Sequence, residues 1–218
     1  NKIIDNRYKD LINYQNKRYA DKYKKIIDKV ILIDKKLNKK NIKLSKLVAN
    51  TLFKIMAYKD EFEVARLYTD GRFKKYINET FEGNFKLGIY LSPPLLNFKD
   101  SKTKKPKKIL FSKKVFILFN LLKRLKFLRN TPFNIFGYSL ERKKEKMLSI
   151  KFIKCLDFIL KNLNNNNYKC SLELIDIFNQ IRGFGHVKMK NFKKFDILYI
   201  EKFNEFKKAS KKKEQAAE

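Results

Sequence analysis

The chain has 218 residues, of which 44% are hydrophobic, so it is long and apolar enough for one domain with a buried core. It carries 53 Lys and Arg against 22 Asp and Glu, and the net charge of +31 favours a nucleic acid or an anionic surface as partner. Two cysteines exclude a disulfide framework, and they cannot supply the four thiolates of an ordinary iron–sulfur cluster.

The first quarter of the chain has a helical pattern. Apolar residues recur at intervals of three and four from Asp5 to Leu37, which predicts two helices or one long kinked helix. A basic connector, 38–43, precedes a further predicted helix from Leu44 to Met56. An acidic island follows, and Asp70 with Gly71 is a stop signal.

The middle of the chain changes to a strand pattern. A short helix is predicted from Arg72 to Phe81, ending at Gly83. Residues 85–91 are rich in β-forming side chains, and 107–111 form a second such segment. Between them, 98–106 is a lysine-rich loop, so the pattern predicts a small hairpin, around residues 85–111, inserted between helices.

The second half is again helical. Helices are predicted over 115–128, from about 138 onward, around 174–181 and over 192–206, and the Asn run at 164–167 separates the second from the third. We therefore expect a mostly α, multi-helix domain over residues 1–206 and a flexible basic tail over 207–218.

The start of the chain and its most apolar run indicate the cellular compartment of the protein. Four polar residues interrupt the run 115–128, so it is too polar for a membrane span. An amphipathic core helix is favoured over one that lies on a membrane surface. No secretory signal opens the chain, and we expect a reducing cytoplasm. The chain begins at Asn1 without methionine, which indicates a segment of a longer protein.

The acidic island offers candidate contact residues. It comprises Asp60, Glu61 and Glu63, three carboxylates within four positions of a lysine-rich chain. Arg66 lies three residues after Glu63, and Lys59 four before it, so ion pairs along one helix explain them. A hydrolase with paired carboxylates is the sharper alternative, but nothing in the sequence nearby supplies an apolar pocket to raise one pKa. We favour an ion-pair network that faces another domain.

The stretch RGFGHV at 182–187 contains the chain's single histidine and resembles the RNP1 strand of an RNA-recognition motif. It lies between two helical patterns, however, whereas RNP1 must be a central strand. We predict a joint between helices, in which Gly183 and Gly185 adopt positive φ and Phe184 plugs the core. Arg182, His186 and Lys188 are candidate contacts to a neighbouring domain; an acid/base role for His186, and a phosphate near the glycines, stay open.

Several long strings resemble the C-terminal region of fused-chain indolepyruvate ferredoxin oxidoreductases. The strings are LFKIMAYKDEFEVARLYTD at 52–70, FEG at 81–83 with LSPPLL at 91–96, TPF at 131–133, FGY at 136–138, ER at 141–142 and IRGFGHVK at 181–188. With a weaker likeness around Tyr14 and Tyr19, the resemblance covers nearly the whole chain.

The resemblance implies a part in the oxidative decarboxylation of an aryl 2-oxoacid to an acyl-CoA, with reduction of ferredoxin. The family uses thiamine diphosphate with magnesium, iron–sulfur clusters and coenzyme A. Their motifs belong to other domains of the family's long chain, so this segment is expected to be an accessory domain with no catalytic or metal-binding residue. Its partners would be those other domains, ferredoxin for the full enzyme, and further copies in a homo-oligomer.

A basic, helical nucleic-acid-binding protein is the rival prediction. The net charge of +31 favours it. The same composition, rich in Lys, Asn, Ile, Phe and Tyr and without Trp, is also typical of an AT-rich genome. Because composition has this second explanation, we expect no sequence-specific binding of nucleic acid.

Overall fold

The structure, a computed structural model, describes residues 2–37, 42–84, 86–92, 108–183 and 185–211, and of His186 only the backbone. In these ranges the chain is mostly helical, with nine α-helices and one two-stranded antiparallel hairpin, which confirms the predicted fold class. It divides into two compact units: unit 1 is Asn1–Ala57 with Lys143–Glu218, and unit 2 is Tyr58–Arg142. The single domain over 1–206 stays a prediction.

Unit 1 is built from long amphipathic helices. Their bounds are α1 Lys2–Tyr14, α2 Lys17–Leu37, α3 Lys43–Met56, α7 Leu140–Asn162, whose first turn belongs to unit 2, α8 Tyr168–Asp176 and α9 Gly185–Lys211. The N-terminal pattern forms two helices and not one, because the side-chain Oδ1 of Asn16 accepts a hydrogen bond from the Tyr19 N–H at 2.9 Å and caps α2.

The core of unit 1 follows the spacing of the sequence. Tyr23, Ile27 and Val30 are fully buried along one face of α2, as a helical period of 3.6 residues requires. The start of α3 takes its partners from elsewhere in the fold. Buried Asp34 accepts from the backbone N–H and the hydroxyl of Ser45, each at 2.7 Å. The first of these bonds satisfies a backbone donor that the helix itself leaves unpaired.

Unit 2 holds the shorter elements. They are α4 Glu61–Thr69, α5 Arg72–Thr80, β1 Gly88–Leu91, β2 Ile109–Ser112, α6 Val115–Leu122 and two 3₁₀ helices, Lys123–Leu128 and Ile135–Tyr138. The predicted hairpin is confirmed, with Ile89 opposite Phe111 in the antiparallel pair. Phe85 and the predicted loop at 98–106 lie outside the described residues.

Three predicted boundaries need correction or restriction. The helix predicted over 115–128 is α-helical only to Leu122 and then tightens into a 3₁₀ helix, a common ending where last-turn carbonyls find closer partners. The helix predicted to Ile181 likewise ends in a 3₁₀ turn, Ile177–Gln180. The last helix continues to Lys211, inside the predicted tail, and residues 212–218 lie outside the described residues.

Candidate functional site: the carboxylate–arginine network and the 182–188 joint

Asp60 stands at the N-terminus of α4. Its backbone is extended (φ −87°, ψ −178°), and its Oδ1 accepts a hydrogen bond from the Glu63 N–H at 2.8 Å. Aspartate is among the favoured residues at this position, because its side chain satisfies a free N–H and its negative charge is attracted to the positive end of the helix dipole. The acidic island therefore begins as a helix cap.

The same carboxylate forms a buried ion pair with Arg129. The Nε of Arg129 donates to Oδ2 at 2.5 Å and its Nη2 donates to Oδ1 at 2.7 Å, so the pairing is bidentate. Both side chains are only 3% exposed. The guanidinium also lies over the ring of Phe62, 5.6 Å from its centroid. This pair ties the start of α4 to a residue 69 positions later in the chain.

Glu63 and Arg66 form a second bidentate pair, as their spacing predicts. The Nε–Oε2 and Nη2–Oε1 distances are 2.8 Å and 2.6 Å, and Glu63 is buried. Arg66 also reaches Asp70 at 3.4 Å, and Asp70 pairs with Arg72 at 2.6 Å. Hence a continuous chain of charges runs along α4 to its C-terminal turn.

The expected pairing of Lys59 with Glu63 along one helix is wrong in its premise. Helix α4 begins at Glu61, so Lys59 precedes the helix and does not share a helical face with Glu63. Lys59 takes part through its carbonyl oxygen, which accepts from Nη2 of Arg142 at 3.2 Å. The strong cap at Asp60 explains where the helix starts.

Glu61 completes the set, which we call the carboxylate–arginine network: Asp60, Glu61, Glu63, Arg66, Arg129 and Arg142. Arg142 Nη2 lies 3.3 Å from Oε1 of Glu61, while the buried Oε2 of Glu61 accepts no hydrogen bond from the described residues. Burial raises the pKa of Glu61, and the charge of Arg142 opposes that rise. The sequence shows no apolar pocket beside the island; the raised pKa of Glu61 comes from burial within the fold, which the sequence alone does not reveal.

The network's pairs lie within unit 2. Each carboxylate of the island has an arginine partner there, which accounts for these charges through the folding of the unit. Contact of Asp60, Glu61, Glu63 and Arg66 with another domain stays a prediction. Sequence reasoning missed Arg129 and Arg142 as partners, although a signal was present. The chain has only eight arginines among its 53 basic residues, and bidentate pairing is what arginine does better than lysine.

The joint at 182–188 lies in unit 1. Gly183 and Gly185 have φ of +91° and +54°, which confirms the predicted positive-φ turns. A Cβ at Gly183 would also lie 2.9 Å from Cγ1 of Val187, so a side chain there would be strained and would collide. Gly185 is the first residue of α9, and neither β1 nor β2 includes this stretch, so it is not an RNP1 strand.

The candidate contacts of the joint have different surroundings. Arg182 is exposed, and its Nε donates to the Asn179 carbonyl at 3.1 Å. Lys188 is mostly buried and pairs with Glu145, whose side chain is buried too. The side chain of His186 and all of Phe184 lie outside the described residues, so their roles stay predictions. Of the two candidate contacts whose side chains the structure describes, Arg182 lies at the surface and Lys188 does not.

Within the described ranges, two kinds of feature, a metal-ligand group and a membrane span, bear on function. They hold no group of three or more His, Cys, Asp or Glu side chains that fits a metal ion. None of their helices is both long enough and apolar enough to cross a membrane. The two cysteines of the sequence do not fit an iron–sulfur cluster, which needs about four thiolates.

Family membership follows from a comparison with family models. The DUF6537 model, described as a family of unknown function, matches residues 1–200. The chain belongs to the DUF6537 family. Searches of curated proteins and of solved structures gave no match. The DUF6537 match spans both the network and the joint, so both features lie inside the part of the chain that defines its membership.

Proposed function

We propose that this DUF6537 chain is an accessory domain of an indolepyruvate ferredoxin oxidoreductase. That enzyme converts an aryl 2-oxoacid, coenzyme A and oxidised ferredoxin into an acyl-CoA, CO2 and reduced ferredoxin. In this proposal the chain supports the catalytic domains by packing against them, in the cytoplasm and within a homo-oligomer. Thiamine diphosphate, magnesium, the iron–sulfur clusters and coenzyme A belong to those other domains.

One observation carries the non-catalytic role. The most specific string of the resemblance, 52–70, contains the acidic island, and its carboxylates are engaged by Arg66, Arg129 and Arg142 in ion pairs within unit 2. Asp60 and Glu63 are each held in a bidentate pair with an arginine, and Glu61 makes a single 3.3 Å contact to Arg142. This engagement of the island within unit 2 supports a structural role for the residues that resemble the family most closely.

The proposal is tested first on the gene and on the native protein. We expect the reading frame that encodes this chain to encode thiamine-diphosphate and cysteine-cluster motifs as well, and the native protein to have the mass of the longer chain. The native protein should reduce a viologen dye when given indolepyruvate, coenzyme A and thiamine diphosphate. A native protein of the mass of this chain alone would overturn the proposal.

The second test separates support from catalysis. The 218-residue chain, assayed alone under the same conditions, should reduce no more dye than a blank without enzyme. Cofactor-dependent reduction by the chain alone would show that it is catalytic. The matched sample is the full-length enzyme carrying Arg129→Met, which should lose activity only to the extent that it loses folded protein. Lost turnover in a fully folded variant would give the network a direct role in the reaction.

The net charge of +31 favours one rival, a basic nucleic-acid-binding protein. Charge alone gives affinity without sequence preference, because contacts to phosphates carry no base information. Binding that discriminates sequences at physiological salt would move the conclusion to this rival.

A further inference from the structure

Helix α6 of unit 2 is apolar on two sides. On one side Val115 and Phe119 are buried against Ala65 and Ile89, which form the small core of the unit. On the other side the exposed fractions are 76% for Ile117, 51% for Leu118 and 57% for Leu121, and Phe127 in the following 3₁₀ helix is 63% exposed. We call these four side chains the α6 face.

Such a face is unusual on a helix that borders solvent. A surface helix normally has a polar side opposite its buried stripe, whereas a helix that is apolar all round is covered on both sides. Scattered exposed apolar residues need no explanation, but Ile117, Leu118 and Leu121 occupy adjacent positions on one turn. The α6 face is thus shaped for a partner that covers it.

The rim of the face fixes the charge of that partner. Lys113 and Lys114, just before α6 in the sequence, and Arg124, just after it, are exposed. From residue 101 to residue 140 the sequence contains no Asp or Glu. A second copy of this chain would bring the same cations against them, and like charges across an interface are unfavourable. The complementary surface is therefore apolar at its centre and acidic at its rim.

One side chain favours a protein over a lipid surface. Asn120 lies on the same exposed side of α6, four residues before Arg124, and its Nδ2 donates to the carbonyl oxygen of Phe116 at 3.0 Å. Its Oδ1 is a further hydrogen-bond acceptor on this exposed side of the helix. In hydrocarbon such an acceptor would go without a donor, whereas a protein surface can supply one.

We infer that the α6 face is a permanent docking surface for another protein domain, apolar at its centre and acidic at its rim. The assignment of this domain to the oxidoreductase rests on the proposed function. The apolar centre and acidic rim of the partner are inferred from the α6 face alone.

Footprinting tests whether the face is covered. Hydroxyl radicals oxidise exposed side chains, so residues 115–128 should be oxidised in the 218-residue chain alone and protected in the assembly purified intact from its source cells. Equal oxidation in both samples would overturn the inference, because nothing would cover the face. Protection in the chain alone would also overturn it, because the cover would then come from the chain itself.

Zero-length cross-linking identifies the partner. A carbodiimide joins lysine amines to carboxylates, so Lys113 and Lys114 should form cross-links to Asp or Glu in the native assembly. Links to a catalytic domain of the oxidoreductase support both proposals, while links to an unrelated protein support the inference and overturn the proposed function. Links to a second copy of this chain overturn the inference. Flotation of the chain with phosphatidylserine vesicles, together with protection but no links, would assign the face to a membrane and overturn it too.

A matched pair of variants tests whether the face contributes to assembly. Ile117→Glu places a charge on the α6 face, and Ile197→Glu places the same charge at an equally exposed isoleucine of α9, with exposed fractions of 76% and 72%. We expect Ile117→Glu to weaken retention in the assembly about thirtyfold, the scale of a hot-spot residue. Ile197→Glu should leave retention unchanged. Equal effects of the two variants would overturn the inference. If Ile117→Glu fails to fold, the footprint of the unmodified protein is the test that remains.

Discussion

Removing the positive partner of the buried Asp60–Arg129 pair should be among the most damaging single changes in unit 2. Arg129→Met keeps much of the side chain's length and apolar contact but leaves the Asp60 carboxylate uncompensated at 3% exposure. Breaking a buried ion pair from one side costs about 3–5 kcal/mol, because the remaining charge has lost both its partner and its water. We expect a loss of that size in the free energy of unfolding.

Changes at Asp60 separate the ion pair from the helix cap. Asp60→Asn keeps a favoured cap, since Asn also accepts from the Glu63 N–H, but it removes the charge that pairs with Arg129. Asp60→Ala removes both and should cost about 1 kcal/mol more than Asp60→Asn. The double variant Asp60→Asn with Arg129→Met should cost less than the sum of its parts, with a coupling energy of about 2–3 kcal/mol.

The assay is urea unfolding followed by far-ultraviolet circular dichroism, since the chain contains no Trp to serve as a fluorescent probe. Hydrogen exchange should be measured in parallel, because two compact units need not unfold together. The matched control is Arg72→Met, which removes an arginine from the pair with Asp70 where Arg72 is 67% exposed. Its expected cost is below about 1 kcal/mol. Equal costs for Arg129→Met and Arg72→Met, or additivity in the double variant, would refute the reasoning.

Three further outcomes are expected. Burial raises the pKa of Glu61, so the native state binds the Glu61 proton more tightly than the unfolded chain does. This proton binding favours folding at a pH below the ordinary glutamate pKa, and the contribution is lost as the pH rises through the raised native-state pKa of Glu61. Urea midpoints of the unmodified chain should therefore fall relative to Glu61→Gln across that interval, and parallel pH profiles would contradict this. Burial raises the pKa of the Cys155 thiol to about 12, so iodoacetamide at neutral pH should modify partly exposed Cys170 first, as mass spectrometry would show; equal rates would contradict it. Labelled DNA and RNA should bind weakly, with an affinity that falls steeply with salt and with sequence discrimination well below about a thousandfold.

The helices were predictable because their signal is local and repeated. In α2 the buried residues Tyr23, Ile27 and Val30 are already spaced by three and four in the sequence. What periodicity did not decide was the break between α1 and α2. At this break the Tyr19 N–H donates to the side chain of Asn16 and caps α2. One side-chain hydrogen bond leaves no mark on the spacing of apolar residues, so periodicity alone does not reveal it.

The asparagine run at 164–167 shows how composition can mislead. Its composition predicts only a low-complexity separator, yet Asn167 is fully buried. The Oδ1 of Asn167 accepts from the Asn164 N–H at 2.8 Å, and its Nδ2 donates to the Asn162 carbonyl at 2.8 Å. Asparagine side chains can imitate backbone hydrogen bonds, so the repeat builds one specific turn between α7 and α8. Composition records the residue type and not the bonds that each copy makes.

The partners of the acidic island were hidden for a different reason. Asp60 and Arg129 are 69 residues apart, so no spacing rule for a single helix connects them. The choice of cation nevertheless carries information in this chain. An arginine can supply two parallel hydrogen bonds in a fixed plane, a need that lysine, the common basic residue of this chain, cannot meet. Arg66 and Arg129 both meet that need, each with a bidentate carboxylate. In a lysine-rich sequence, then, arginines are the positions at which to look first for the long-range ion pairs that local patterns cannot reveal.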